Sequence, residues 1–275
     1  VTFVNIDKYM KNNKVVQFSN KFKNYSTSSK NFELMCFLRI IICHLFMIEY
    51  DFQRIFHLDS DCILLYDINT YPFKKDIAYQ WGINDYPEDM TDSIHNGLIN
   101  KEFCQEFENL FKKIYIDNDT ALIKNKIEYH TKNNISGGIC DMTFYYILRK
   151  NKIIDSENLG APKSINNKQY IFLNNVNSGE GFNSRKQYKT QLSILHNIID
   201  LKKDESGEIY VTDKASSEIY YPYSIHFQGS RKSFLKDDSI FKFVDTNKSE
   251  LLYSPFLELI FLSLFVVIIL FYCIR

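Results

Sequence analysis

The chain is short of the residues that punctuate a fold. Its 275 residues include only 9 Gly, 5 Pro and 1 Trp, which excludes collagen-like repeats and Pro- or Gly-rich linker tracts. Charge of either sign is not in surplus: 33 Lys+Arg face 33 Asp+Glu, for a formal net charge of zero. A general nucleic-acid binder carries a basic excess, so no nucleic-acid partner is expected. The six cysteines (Cys36, Cys43, Cys62, Cys104, Cys140 and Cys273) form no Cys-x-x-Cys, and no His stands at zinc-finger spacing from them. Most lie in apolar sequence, where a thiol behaves as a small hydrophobe.

What is present is core-forming material. Hydrophobic residues make up 45% of the chain and aromatic residues 16%, ample for one α/β domain of this length. A single catalytic-size domain is expected over residues 1–250. Val1-Thr2-Phe3-Val4-Asn5-Ile6 reads as a strand, so the chain is expected to begin inside the fold. Apolar residues at helical spacing predict a helix over residues 31–48 with Asn31 as its cap, and an amphipathic helix over 101–116. Residues 54–58 and 77–81 read as strands, 82–97 as a polar loop, 142–150 as a helix, and 209–211 and 224–227 as late strands. Strands alternating with helices predict a mixed, mostly parallel sheet flanked by helices. The last apolar run, residues 256–274, reaches the ~20 residues a helix needs to span a bilayer. Glu258 falls near its start, where it can sit at the interface. A transmembrane helix is expected there.

Seven residues carry most of the chemical signal: His57-Leu58-Asp59-Ser60-Asp61-Cys62-Ile63. An apolar strand runs up to two carboxylates spaced i, i+2, and in extended backbone these point the same way. Two such carboxylates repel unless a cation lies between them, and a hard divalent ion shared with a diphosphate answers that need. A second pair, Asp117-Asn118-Asp119, follows a helical segment and reads as a solvated turn. A late segment, His226-Phe227-Gln228-Gly229-Ser230-Arg231-Lys232, has the form His-x-x-Gly-x-x-Lys. Chance alone predicts about 0.02 such matches in a chain of this composition. A neutral imidazole can serve as a metal ligand, Gly admits a phosphate close to the backbone, and Lys can neutralise a diphosphate. Between these segments, Ser136-Gly137-Gly138 sets two adjacent Gly in a Gly-poor chain, which indicates positive φ or close backbone approach.

Asp59-x-Asp61, Ser136-Gly137-Gly138 and His226-x-x-Gly229-x-x-Lys232 together resemble a GT-A fold glycosyltransferase, most closely the glycogenin-like group. The resemblance covers roughly residues 1–235. It implies a Rossmann-like α/β fold and a Mn²⁺ (or Mg²⁺) ion held by Asp59, Asp61 and His226. It further implies a nucleotide-sugar donor, a UDP-sugar first among them, whose diphosphate meets Gly229 and Lys232. Ser136, Gly137 and Gly138 would lie near the donor sugar, and Arg39 and Asp141 would orient it as the catalytic pair. The acceptor would be a hydroxyl on a glycan, protein or lipid, with Trp81 and the loop over 82–97 as a candidate surface for it. With the C-terminal helix, the expected location is a membrane, the Golgi or endoplasmic reticulum in a eukaryotic cell. Two other readings stay open at this point. A haloacid-dehalogenase-like phosphatase also places Asp-x-Asp after a strand, although Ile63 stands where that group has Thr or Val. A non-catalytic, membrane-anchored nucleotide- or sugar-binding module would need the same groups.

Overall fold

The computed structural model describes residues 4–82, 89–173, 202–212, 217–227 and 232. The segment 256–274, expected to span a membrane, lies outside the described residues. The chain packs as two units, and the first comprises residues up to Phe56 together with Phe73–Glu157. Helices α1 (Asp7–Met10), α2 (Asn13–Lys21) and α3 (Lys30–Glu49) open it. Residues 4–6 form no strand and Asp7 already begins a helix, which corrects the strand read there; residues 1–3 lie outside the described residues. α3 starts one residue before the sequence suggests because Ser29, not Asn31, caps it: the Ser29 hydroxyl accepts from the Phe32 N–H at 3.3 Å, satisfying a donor the first turn leaves open. α3 is the one helix among the described residues long and apolar enough to cross a membrane. Half of it is buried here, including Phe37, Leu38, Ile40, Ile41, Cys43 and Met47, as expected of an apolar helix that forms the core.

Around α3 the interior is aromatic. α4 (Lys101–Phe111), capped by the Asn100 side chain at 2.8 Å from the Phe103 N–H, runs into a π-helical turn at Lys112–Ile116. α5 (Lys124–Asn133) and α6 (Asp141–Lys150) complete the helices. Phe37 meets Phe144 edge-on with ring centroids 4.8 Å apart, Phe18 stacks on Phe111 at 4.4 Å, and Phe111 tilts against Tyr115 at 4.5 Å. Such pairs add ~0.5–1.5 kcal/mol each beyond the area they bury. One charged group is enclosed with them: Glu108 of α4 meets His44 Nδ1 at 2.8 Å and Lys14 Nζ at 2.9 Å. Burial pushes its carboxyl up, and these two partners more than reverse that, leaving it below the ordinary range.

The sheet of this unit has the order β1-β4-β3-β5, with β1 at Arg54–Leu58, β3 at Ala78–Gln80, β4 at Ser93–Asn100 and β5 at Glu157–Asn158. The first five residues of β4, Ser93 to Gly97, fall within the stretch read as a polar loop. Ser93, His95 and Asn96 are buried in it, and His95 Nδ1 lies 2.5 Å from the Ser93 Oγ. Here the strand's polar residues face inward, which inverts the composition signal.

The second unit comprises His57–Pro72 and the residues from Asn158 onward. β2 (Cys62–Leu64), β6 (Lys163–Ile165), β7 (Lys168–Leu173), β8 (Lys202–Lys203), β9 (Ile209–Thr212) and β10 (Ile219–His226) form one sheet, in the order β6-β7-β10-β9-β8 with β2 also paired to β10. The architecture is therefore α/β with mixed sheets. Among the described residues the pairings correct the expectation of mostly parallel strands: in the second sheet β7–β10 is parallel, whereas β2–β10, β9–β10, β6–β7 and β8–β9 are antiparallel, as is β3–β4 in the first. Short connections make this possible. β6 and β7 are joined by Asn166 and Asn167, both at positive φ (49° and 64°), the two-residue hairpin geometry that Asn tolerates. A cluster of Tyr71, Tyr170, Phe172 and Tyr223 covers one part of this sheet, with centroids 4.9–5.5 Å apart.

Candidate metal centre

The candidate centre is built where β1 ends and β2 begins. Leu58 closes the strand, and the Cys62 N–H donates to the Asp59 carbonyl at 3.0 Å, folding Asp59-Ser60-Asp61 into a tight turn. β2 then runs antiparallel to β10 with Cys62 opposite His226, Ile63 opposite Ile225 and Leu64 opposite Ser224. The Phe227 N–H donates to the Asp61 carbonyl at 2.8 Å, extending the ladder past the strand. This register brings the two ends of the motif set together across about 165 residues of chain.

Asp61 is the hub. Its Oδ1 lies 3.3 Å from His226 Nε2 and its Oδ2 lies 2.9 Å from Lys232 Nζ. Asp61 and His226 are buried, whereas the Lys232 side chain is 60% exposed. Burial alone would push the Asp61 carboxyl up, but His226 and Lys232 outweigh it and hold the carboxyl well below the usual range. The Cys62 thiol is moved the other way, first by burial and then by the charges of Asp61 and Asp59. A cation at this point would reverse the sign of that local field. Asp61, Cys62 and His226 each offer a ligand atom, and these atoms lie within 4.8 Å of one another.

Asp59 is placed differently from Asp61. Its Oδ1 is 3.6 Å from His57 Nε2, and it is not a member of the close ligand group. Of the residues expected to form the centre, Asp61, His226 and Lys232 converge, Asp59 flanks them, and Gly229 lies outside the described residues together with Arg231. Cys62 is the residue that sequence reasoning missed. Its only sequence signal is position, one residue after the carboxylates, and nothing short of the β2–β10 register pairs it with His226.

The remaining expected residues lie in the first unit. Arg39 Nη2 and Asp141 Oδ2 are 2.6 Å apart, so these two do find each other across 102 positions. Asp141 also accepts from the Tyr145 hydroxyl at 2.7 Å and from the Met142 N–H at 2.9 Å. It is buried, and it sits at the first position of α6 with Cys140 at the cap. Much of its hydrogen-bonding capacity is thus used within the protein. Trp81 lies under Arg149, 4.9 Å from ring centroid to guanidinium. Among the described residues Asn96 of β4 is fully buried and has no hydrogen-bond partner for either side-chain atom, a signal invisible in a segment that reads as loop.

Ser136 is exposed, and the Gly pair does adopt positive φ, 106° at Gly137 and 125° at Gly138. The backbone it approaches is this chain's own. Gly138 bridges Ser26, Gly137 N donates to Thr27 Oγ1 at 2.8 Å, and Ile139 N donates to the Tyr25 carbonyl at 3.1 Å. A Cβ on Gly138 would stand 2.2 Å from the Tyr25 carbonyl oxygen, whereas one on Gly137 would meet the His130 ring at 3.2 Å. Gly138→Ala is therefore expected to cost ~3 kcal/mol or more, combining a strained φ with a backbone clash, and Gly137→Ala about half that. Urea denaturation measures both. A Gly138→Ala protein of undiminished stability would remove the packing explanation for the pair.

Comparison with models of known protein families, with curated proteins and with solved structures finds no match for this chain.

Proposed function

We propose that the chain is a metal-dependent glycosyltransferase that moves a sugar from a nucleotide-diphosphate sugar, with UDP-sugars the first candidates, to a hydroxyl acceptor on a glycan, protein or lipid. The observation that carries the reading is the meeting of the two motifs at one carboxylate: His226 Nε2 at 3.3 Å and Lys232 Nζ at 2.9 Å from the oxygens of Asp61. A divalent ion would be held by Asp61 and His226 with Asp59 at its flank, and when bound it supplies electrostatic stabilisation of charge on a leaving diphosphate. His226 is fixed for this by its place in β10, and Asp61 by the cross-strand bond that its own carbonyl accepts from the Phe227 N–H. The Lys232 side chain is 60% exposed, so its ammonium can pivot from Asp61 toward a phosphate oxygen. Arg39 and Asp141 hold each other and the start of α6, and the proposal gives them a positioning part. Residues 256–274 would tie the enzyme to a membrane, that of the endoplasmic reticulum or Golgi in a eukaryote.

Donor hydrolysis with UDP-, GDP- and CMP-sugars and a panel of divalent ions tests the reading. Lys232→Ala is expected to lower kcat by about 10–100-fold while raising the donor KM only a few-fold, because charge on the β-phosphate grows as the glycosidic bond breaks. No hydrolysis of any donor, together with thermal stabilisation by a beryllofluoride–Mg²⁺ phosphate mimic, would replace a transferase with a phosphatase.

A further inference from the structure

We infer that Cys62 is a third protein ligand of the centre, so that the site selects a thiophilic or borderline divalent cation, Zn²⁺ or Co²⁺, over Mg²⁺. The inference rests on the metal-binding half of the proposed function and is independent of its nucleotide-sugar half. Cys62 and His226 are direct partners in an antiparallel pair, and side chains of directly opposed residues lie on the same face of the sheet, with Cβ atoms about 4.5–5.5 Å apart. Asp61 reaches the same point from the turn, its Oδ1 at 3.3 Å from His226 Nε2. The thiol, one carboxylate oxygen and one imidazole nitrogen consequently fall within 4.8 Å of one another, and all three residues are buried.

This donor set differs from what carboxylates alone dictate. Two carboxylates and an imidazole suit Mg²⁺ or Mn²⁺ as well as heavier ions, because oxygen donors favour hard cations. One sulfur donor beside one nitrogen and one oxygen shifts preference toward Zn²⁺ and Co²⁺, and three protein ligands leave a position open for a substrate oxygen. The other oxygen of Asp61 already receives Lys232 Nζ at 2.9 Å. That is the outer hydrogen bond that orients a ligating carboxylate, and it leaves Oδ1 to the ion. The Asp61–Cys62–His226 group thus comes with part of its supporting shell in place.

Cobalt substitution tests this without any turnover. Wild-type protein titrated with Co²⁺ is expected to develop a near-ultraviolet thiolate-to-cobalt charge-transfer band at about one equivalent. Cys62→Ser is expected to lose that band and to bind Zn²⁺ at least 10-fold more weakly while its Mn²⁺ affinity changes little. Cys36→Ser is the control for adventitious thiols and is expected to keep both properties. Circular dichroism establishes that each variant is folded. Cobalt binding with no charge-transfer band, or a band that survives in folded Cys62→Ser, overturns the assignment of Cys62. Absence of any stoichiometric Co²⁺, Zn²⁺ or Mn²⁺ binding overturns it together with the metal-binding reading. UDP binding, measured by calorimetry in the same samples, reports on the nucleotide-sugar half separately.

Discussion

Under the proposed glycosyltransferase function, Asp61→Asn is expected to reduce donor hydrolysis by about 10³-fold, equivalent to ~4 kcal/mol of lost transition-state stabilisation. Asp61 joins the two motifs: His226 meets one carboxylate oxygen, Lys232 the other, and the Phe227 N–H its backbone carbonyl. An amide keeps the shape but loses the charge that attracts a cation, and one end of it becomes a donor facing either His226 or Lys232. Its effect on the fold is expected to be a modest loss. The sequence alone suggests neutral or better, because two adjacent carboxylates should repel. In the structure that repulsion is not the leading feature, since Asp59 is directed to His57 and Asp61 to His226 and Lys232. Losing these contacts should cost about 1–2 kcal/mol, at the low end for a charged hydrogen bond because Lys232 is largely exposed. The pH dependence follows from the lowered carboxyl of Asp61. Its stabilising contribution is complete above the ordinary Asp range near about 3.9 and fades as pH falls toward its native-state value. Wild type should therefore lose its advantage over Asp61→Asn on acidification. Denaturation midpoints at pH 7 and pH 3 measure this, and near wild-type turnover in Asp61→Asn at saturating metal would remove Asp61 from the centre.

The largest expected stability effect is in the first unit. Asp92 is fully buried. It accepts from Arg149 Nε at 2.6 Å and Nη2 at 2.9 Å, and from the Gly82 N–H at 2.7 Å. Burial works against the Arg149 charge, but Asp92 more than restores it, and the guanidinium ends above its ordinary value. Asp92→Ala should cost ~3–5 kcal/mol, because it leaves a partly buried guanidinium and a backbone N–H without their acceptor. Against a typical total of ~5–15 kcal/mol that is a severe loss, readable as reduced soluble yield and a Tm lower by several degrees. Arg149→Lys should recover little, since one ammonium cannot reproduce the two-pronged contact or lie over the Trp81 ring as well. If Asp92→Ala melts with wild type, this pair contributes nothing net.

How much of this was legible in the sequence differs element by element. β1 and the Asp-x-Asp turn were legible because a buried strand with a sudden pair of carboxylates has few meanings. The Gly pair announced unusual backbone but not its partner, since a Gly that admits a ligand and a Gly that admits Tyr25 read alike. β4 was hidden by its composition: Ser93, His95 and Asn96 signal a loop, and only the fold turns them inward. Cys62 was hidden for a different reason. Its significance lies in its pairing with His226, and register between strands so distant in sequence leaves no local trace. The parallel character was misjudged because alternation of strand and helix was read across short hairpins.

The β2–β10 pairing also sets an order of events in the making of the protein. Asp61 and Cys62 leave the ribosome first, and His226 is added about 165 residues later, which at ~5–20 residues per second is a delay of ~8–30 s. Through that interval β2 has no β10 to pair with, and the turn carrying Asp61 lacks the N–H of Phe227. The closing contact also spans a very long loop, the kind whose entropy is lost before any contact repays it. The Asp61–Cys62–His226 group is consequently brought together only once β10 has docked on β2.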